Sequence, residues 1–314
     1  MVKPVILLSA CIEHESCRYD GSKISSKYIK KLKDYVEFIT VCPEMAIGLP
    51  SPRESIRLVK RDSVGHIELL GSKSGTDYTE KMSEFSDKYL KSLDPNKVDG
   101  FILKSKSPSC GIGQVKLYKD ILKAPLITGR HTGFFGGRVK ELFSTYPIEH
   151  EMRLTNDEIR EHFLITIFTR ARFKEVKSMK ELVKFHSDNK YLFMVYNQSS
   201  LNRLGNIVAN HEKYPLNDVK IKYFNELLQT LNRMPNRKRN INTLTHIYGY
   251  FKKDLKAKEK AFFTDNLKKY EEGLIPISAV LSVLRSWVIR FENEYLLSQT
   301  IFEPFPIALS EFGE

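Results

Sequence analysis

Apolar stretches about as long as a β-strand alternate with polar, turn-rich segments over the first half of the chain. Four of them have the character of buried strands: residues 4–10, 36–41, 98–103 and 125–129. The segments between them predict helices at 25–34, 78–93, 115–121 and 138–145 and a hairpin at 59–69. Strands that alternate with helices are typical of a doubly wound parallel sheet. The first half therefore predicts a Rossmann-like α/β domain.

The second half has a different pattern, because its apolar positions follow only the 3.6-residue period of a helix. Seven helices are predicted: 157–173, 179–190, 191–211, 216–233, 240–255, 257–272 and 277–298. A proline and a polar run make 146–156 the best candidate for a boundary. The sequence thus predicts an α/β domain at 1–150, a linker helix region at 151–178 and an all-α domain at 179–314.

Composition and charge indicate a globular protein that attracts polyanions. The 314 residues are 41% hydrophobic, which is enough for two cores and too much for a disordered chain. No stretch approaches the roughly 20 apolar residues of a membrane helix, and no signal segment is recognisable. We therefore expect a cytoplasmic protein with no membrane partner. The net charge of +12 would concentrate polyanions such as RNA, although an ordinary solvated basic surface explains it equally well.

All four cysteines lie within the first 110 residues, in polar loops. Cys11, Cys42 and Cys110 each follow a predicted strand, and Cys17 lies in the loop after Cys11. Because the carboxyl ends of parallel strands meet at one edge of a sheet, these loops should converge. Disulfides are disfavoured in the cytoplasm, so the thiols are candidate metal ligands. Buried structural thiols or a zinc site are alternatives, but the C-x2-C pairs of structural zinc are missing.

Polar residues beside the cysteines are candidates for catalysis and for substrate binding. Glu44 lies two residues after Cys42 and can act as a general acid or base. A helix cap or a partner for Arg53 would be an ordinary structural role for it. Ser107, three residues before Cys110, is the second catalytic candidate. The candidates for substrate binding are Asp20, Arg53 and Ser109, for which turn or surface roles are the structural alternative.

The helical half contains one dense basic region, which predicts an RNA-binding surface. Its members are Arg237, Lys238, Arg239, Lys252 and Lys253. The interleaved Tyr248, Tyr250 and Phe251 would be able to stack on bases. An aromatic stripe on a helix is, however, more often part of a core.

The first 150 residues resemble the DUF523 family, whose characterised members are thiouracil desulfidases. The motifs that carry the resemblance are Ser9-Ala10-Cys11 with Cys17-Arg18-Tyr19-Asp20-Gly21, Val41-Cys42-Pro43-Glu44 with residues 48–54, and residues 103–111. The second half resembles the DUF1722 domain. Its matching residues include Phe185-His186, Asn242-Thr243-Leu244, Gly249-Tyr250-Phe251-Lys252-Lys253 and Tyr295-Leu296.

The resemblance implies a [4Fe-4S] cluster bound by three of the four cysteines, with Glu44 and Ser107 as catalytic groups beside the open iron. This iron would take the sulfur of a thiocarbonyl, which water then replaces without net redox change. Fusions with the second domain are implied to act on 4-thiouridine in tRNA, with the helical domain binding RNA. The partner expected is thus thiolated tRNA or another thiopyrimidine.

Departures from the family pattern at residues 12–15 and 45–48 leave the choice of substrate open. One alternative is a desulfidase for free thiouracil or thionucleosides. Another is an iron–sulfur protein without enzymatic activity that binds RNA or senses redox state.

Overall fold

The computed structural model describes residues 2–60, 66–121 and 125–310. The chain divides into two compact units: a first unit of residues 1–174 and 306–314, and a second unit of residues 175–305. The predicted fold class, a parallel-sheet α/β region followed by a helical region, is confirmed. The structure assigns the helix at Asp157–Lys174, which the sequence analysis placed in a linker region, to the first unit.

The described part of the first unit contains strands and helices in alternation. The strands are β1 Val5–Ser9, β2 Glu37–Val41, β3 Ile56–Val59, β4 Glu68–Gly71, β5 Gly100–Leu103, β6 Val115–Tyr118, β7 Leu126–His131 and β8 Ile148–His150. The helices are α1 Lys27–Leu32, α2 Pro43–Ala46, α3 Thr79–Ser92, α4 Phe134–Leu142 and α5 Asp157–Lys174, with short 3-10 turns at Arg153–Thr155 and Ile307–Leu309.

The first sheet is parallel and has the strand order β2-β1-β5-β8. The register between β1 and β2 runs from Val5 opposite Glu37 to Ser9 opposite Val41, so these strands end level with each other. Strands β5 and β8 are likewise in register, with Leu103 opposite His150. The loops after all four strands therefore leave the sheet at the same edge.

The second sheet has the order β4-β3-β6-β7 and contains both parallel and antiparallel pairs. Strands β3 and β4 are antiparallel, in agreement with the predicted hairpin. The helix predicted at 115–121 is wrong, because Val115 and Leu117 are buried while Lys116 between them is exposed. This two-residue alternation is the period of a strand. The predicted last strand, β7, pairs in this second sheet, and β8 completes the first one.

Helix α5 is held to the first unit by charged side chains as well as by apolar packing. The Arg170 guanidinium lies 3.8 Å from the ring centroid of Tyr146, and its Nη2 donates to the carbonyl of Val98 at 3.2 Å. Lys174 forms an ion pair of 2.7 Å with the buried Asp99. These contacts join α5 to Tyr146, Val98 and Asp99 of the α/β region.

The second unit is helical throughout its described residues. Its helices are α6 Met179–Asp188, α7 Lys190–Tyr196, α8 Gln198–Ala209, α9 Leu216–Leu231, α10 Arg237–Gly249, α11 Ala257–Glu271, α12 Ile277–Arg290 and α13 Glu294–Leu297, with a 3-10 turn at Thr300–Phe302. The single helix predicted at 191–211 is two helices, because the Asn197 side chain accepts hydrogen bonds from the amides of Ser199 and Ser200 and so begins α8. None of the described helices is both long and apolar enough to cross a membrane.

Candidate active site

A cavity of about 510 Å³ opens at the carboxyl edge of the first sheet. The loops after β1, β2 and β5 form much of its wall, and Met152, shortly after β8, also lines it. All four cysteines line this cavity: Cys11, Cys17, Cys42 and Cys110. The level strand ends thus bring together thiols that are up to 99 positions apart in the sequence.

The thiols interact with one another and are largely shielded from solvent. Cys17 and Cys110 are 4% and 5% exposed. Hydrogen bonding with the Cys11 thiol raises the pKa of Cys17 to about 11, and burial raises the pKa of Cys110 to about 12. The pKa of Cys42 is raised too, first by hydrogen bonding with Cys17 and then by burial. Metal ligation by these groups would therefore release protons, because a cysteine binds metal as the thiolate.

The donors suit a soft, thiolate-bound cofactor. The described residues that line the cavity supply four thiols and no imidazole, and thiolates favour iron–sulfur clusters, zinc and copper(I). Within residues 2–60, 66–121 and 125–310, no three Cys, His, Asp or Glu side chains converge on the position of a single ion. Four thiols that line a cavity of about 510 Å³ form a donor set that fits an iron–sulfur cluster.

Glu44 lies in the first turn of the short helix α2, where Pro43 fits the fixed backbone geometry of the helix start. Its Oε2 accepts hydrogen bonds from Arg53 Nε at 2.9 Å and Nη2 at 2.6 Å. The same guanidinium donates to the carbonyls of Cys17 and Pro50, each at 2.9 Å. The Arg53 side chain is only 4% exposed. Arg53, predicted as a substrate-binding residue, thus holds the Glu44 carboxylate and the Cys17 loop together.

Two serines connect the loop after β5 to Glu44. Ser109 Oγ donates to Glu44 Oε1 at 2.6 Å, and Ser107 Oγ lies 2.9 Å from Ser109 Oγ. Ser107 Oγ also accepts a hydrogen bond from the Cys110 amide at 3.1 Å. The Ser109 hydroxyl donates its hydrogen to Glu44, so its oxygen can accept a hydrogen bond from the Ser107 hydroxyl. This hydrogen-bond chain links Glu44 and Ser107, the two predicted catalytic residues, through Ser109.

The amino end of α4 supports the backbone of this serine and cysteine loop. The amides of Gly133, Phe134 and Gly136 donate to carbonyls of the loop: Gly111 at 2.7 Å, Pro108 at 3.1 Å and Ser109 at 2.9 Å. A Cβ atom at Gly136 would lie 2.3 Å from the carbonyl oxygen of Cys110. The glycines at the start of α4 therefore let two backbones touch.

An ion pair that the sequence analysis did not identify lies at the ends of β5 and β8. Lys104, which lines the cavity, pairs with the buried Glu151. Glu151 also accepts hydrogen bonds from the amide and the hydroxyl of Ser105, at 2.9 Å and 2.6 Å. Burial raises the pKa of Glu151, but the contacts with Lys104 and Ser105 outweigh it and leave that pKa below its usual value. The sequence predicts no strand at 148–150, so the position of Glu151 in the polar run at 146–156 gave no signal for this pair.

The remaining charges of the cavity are almost all positive. Asp20 does not line it, and its carboxylate instead accepts from the Ser22 amide at 3.1 Å and hydroxyl at 2.6 Å. Glu44 is the only carboxylate among the described lining residues. Besides Arg53 and Lys104, the basic residues that line the cavity are Arg18, Arg57, Lys106 and Lys116. The wall would therefore attract an anionic ligand.

The basic residues predicted to bind RNA lie at both ends of α10 and not in one patch. Arg237 stacks on the Tyr270 ring at 5.9 Å, and Arg239 Nη1 donates to the carbonyl of Tyr196 at 2.6 Å. Lys252 and Lys253 are exposed beyond the other end of the helix, roughly 20 Å away along its axis. RNA binding by this set stays a prediction.

The fold and the cavity together define an α/β domain with a thiol-rich site at the carboxyl edge of a parallel sheet, followed by an all-α unit. Residues 6–151 match the family described as 2-thiouracil desulfurase, and residues 190–306 match DUF1722, described as a protein of unknown function. The chain therefore belongs to the 2-thiouracil desulfurase (DUF523) family and is a DUF523–DUF1722 fusion, as its motifs predicted. Membership of this family indicates a thiouracil desulfidase enzyme.

Similar proteins cover parts of the chain. It is 34% identical over 128 residues to the uncharacterized protein YbbK of Bacillus subtilis (strain 168), which is 40% of this chain and 83% of YbbK. It is 26% identical over 126 residues to the uncharacterized protein YbgA of Escherichia coli (strain K12), 40% of this chain and 75% of YbgA. A solved structure of TudS, described as a [4Fe-4S]-dependent thiouracil desulfidase, matches 49% of this chain and 94% of its own with 24% identity and a TM-score of 0.39. A TM-score this low bears on no detail of the site.

Proposed function

We propose that the protein is a [4Fe-4S]-dependent desulfidase that converts 4-thiouridine in tRNA to uridine and releases sulfide. The observation that carries the proposal is the shared cavity of the four cysteines and Glu44 in a member of the 2-thiouracil desulfurase family.

Three of the four cysteines, from Cys11, Cys17, Cys42 and Cys110, would hold the cluster. When bound, it would supply an iron without a protein thiolate, which attracts the soft sulfur of a thiocarbonyl. The protein side chains around the cavity then have to orient the base, admit one water and handle protons.

The reaction exchanges a C=S bond for a C=O bond, with oxygen from water and sulfur leaving as sulfide, so no external electrons are needed. Glu44, as a member of an ion pair with Arg53, is a carboxylate that can accept a proton from the attacking water. The hydroxyls of Ser109 and Ser107 extend the hydrogen-bond chain from Glu44 across the cavity wall. Ser107, at the end of this chain, is placed to orient the substrate.

The charge of the cavity favours a substrate that carries phosphate. Among the described lining residues, Arg57, Lys106 and Lys116 add positive charge, Arg18 pairs with Asp20 at 3.4 Å, and the one carboxylate, Glu44, pairs with Arg53. A nucleotide within RNA brings negative phosphates to such a wall, whereas a free thiobase brings none. The cavity volume of about 510 Å³ supports a second candidate, because it falls in the range of small-molecule sites. This candidate is the desulfurisation of free thiouracil or a thionucleoside.

The test compares three substrates with the protein purified without oxygen: tRNA that contains 4-thiouridine, free 4-thiouridine and free 4-thiouracil. Loss of the near-ultraviolet thiobase absorbance and release of sulfide are followed together. Glu44→Gln and Ser107→Ala should lower turnover by about 100-fold or more with unchanged iron content. Glu80→Gln, in the exposed first turn of α3 and outside the cavity lining, should retain wild-type turnover.

The outcomes separate the alternatives. Turnover of free thiobases with none of tRNA would favour the second candidate. Full turnover in Glu44→Gln would contradict the proposed role of this carboxylate. If the wild-type protein turned over none of the three substrates, the remaining explanation would be a protein that binds RNA or senses redox state without enzymatic activity. Iron analysis of the four single Cys→Ala variants should show loss of iron in three of them and retention in one, which identifies the cysteine that is not a ligand.

A further inference from the structure

Three tyrosines from different helices of the second unit meet at one place, here named the tyrosine cluster: Tyr191 in α7, Tyr250 at the end of α10 and Tyr295 in α13. The hydroxyls of Tyr191 and Tyr250 are 3.0 Å apart. The rings of Tyr250 and Tyr295 stack with a centroid distance of 6.2 Å and an interplanar angle of 27°. Tyr191 is buried, whereas Tyr250 is 44% exposed. The cluster therefore anchors one ring in the core and presents stacked rings to solvent.

The surface aromatic differs from its neighbours in the chain. Tyr248 stacks on Phe263 with a centroid distance of 4.6 Å, and Phe251 is 2% exposed and packs against Trp287. These two belong to the interior of the second unit. Tyr250 lies on the opposite side of the stripe, so the core explains Tyr248 and Phe251 but leaves much of Tyr250 uncovered.

Lysine side chains lie against the tyrosine cluster or close to it in the chain. Lys190 Nζ lies 5.6 Å from the ring centroid of Tyr191 and 6.0 Å from that of Tyr295. Lys252 and Lys253 follow Tyr250 closely and are exposed, and no ion pair involves either of them among the residues that the structure describes. The nearby Asp188 pairs with Lys184 at 2.7 Å. One lysine thus lies against the rings, and two exposed lysines follow Tyr250 within three residues of the chain.

We propose that the tyrosine cluster, with Lys190, Lys252 and Lys253, binds a single-stranded segment of RNA. An unpaired base stacks on the exposed rings, and the phosphates on either side contact the lysines. Every base has a π-face and every nucleotide carries a negative charge, so this combination recognises single strands with little sequence preference. The inference rests on the proposed function, because thiolated tRNA is the RNA that the enzyme would hold.

The other half of the predicted basic region is less suited to this task. Arg237 and Arg239 contact Tyr270 and the backbone of Tyr196 within the second unit. Their donors are partly engaged in holding helices together. The structure therefore favours the 250–253 end of α10 over the 237–239 end as the RNA contact.

The experiment measures binding of the full-length protein to fluorescently labelled tRNA by anisotropy at several salt concentrations. Tyr250→Ala and Tyr295→Ala should weaken binding by about 5- to 100-fold, the range expected for one stacked base. Tyr250→Phe and Tyr295→Phe keep the ring faces and should bind within about twofold of wild type. Phe262→Ala removes another exposed aromatic, 57% exposed on α11, and is the matched control. The double change Lys252→Gln and Lys253→Gln should reduce the slope of log affinity against log salt by about two.

Each outcome bears on one of the two proposals. Wild-type affinity in both alanine variants, or an equal loss in Phe262→Ala, would overturn the tyrosine cluster as an RNA site. Turnover of free 4-thiouridine is measured on the same samples, and the alanine variants should retain it. A protein that binds tRNA through the cluster but never removes its sulfur would refute the proposed function and leave the inference standing. If an alanine variant fails to fold, the double variant Lys252→Gln and Lys253→Gln decides: an unchanged slope of log affinity against log salt would overturn the site.

Discussion

The contact between α4 and the Ser107–Gly111 loop offers a sharp test of the site. It is possible because residue 136 is glycine and has only a hydrogen atom where every other residue has a Cβ. In an ordinary helix, replacing glycine by alanine is favourable by up to about 1 kcal/mol. In α4 the Gly136→Ala change should have the opposite sign. The added Cβ would lie 2.3 Å from the Cys110 carbonyl oxygen and 2.5 Å from that of Gly111, and both are backbone atoms.

The size of the effect follows from these distances. Ordinary van der Waals contact begins at 3.4 Å, so the helix and the loop must separate by about 1 Å. The separation lengthens the hydrogen bond from the Gly136 amide to the Ser109 carbonyl, now 2.9 Å. Overpacking of this kind costs about 1–3 kcal/mol of stability. A displacement of about 1 Å in Cys110 and the two serines should lower turnover by about 100-fold.

Two assays separate these effects: thermal unfolding, and the removal of sulfur from 4-thiouridine with iron content measured on the same sample. Gly113→Ala is the matched control, because nothing lies within 4 Å of a Cβ at this position three residues after Cys110. We expect the control to resemble wild type in both assays. Wild-type turnover and melting temperature in Gly136→Ala would refute the claim that α4 sets the position of the loop.

Three further predictions concern charged groups. Arg53→Lys should lower kcat/KM by about tenfold or more with iron retained. One ammonium cannot contact Glu44 and the carbonyls of Cys17 and Pro50 as the guanidinium does. Unchanged kinetics would contradict this role of Arg53. Glu151→Gln should lower the free energy of unfolding by about 1–3 kcal/mol at pH 7, because it strands Lys104. Since the native pKa of Glu151 lies below its usual value of 4.5, its stabilisation is present above about pH 4.5, and the difference in urea unfolding should shrink as the pH falls further. Asp99→Asn tests a pH dependence of the opposite direction. Burial raises the native pKa of Asp99 above its usual 3.8, even with Lys174 as its partner, so wild-type stability falls as the pH rises through the native pKa, and the variant should lose this dependence. A pH-independent difference from wild type would refute either assignment.

The residues that could be predicted from the sequence are those whose position depends on local pattern. The apolar strands at 4–10, 36–41 and 98–103 fix where Cys11, Cys42 and Cys110 leave the sheet. Parallel strands then require a shared edge, so the gathering of thiols in one cavity followed without any knowledge of contacts. The motifs around these residues were sufficient to identify the DUF523 family.

Tertiary structure decided the partners of these residues. The sequence already suggested Arg53 as a partner for Glu44. The contact of Ser109 with Glu44, across 65 positions of the chain, and the pairing of Lys104 with Glu151, across 47, were not predicted. Such pairs depend on the register of distant strands, which no local period encodes. The same limit explains the error at Val115–Tyr118, where a short apolar segment fits both periods until its pairing with β3 and β7 is known. The amino-acid sequence therefore determined which groups reach the site, and long-range packing determined what each group contacts there.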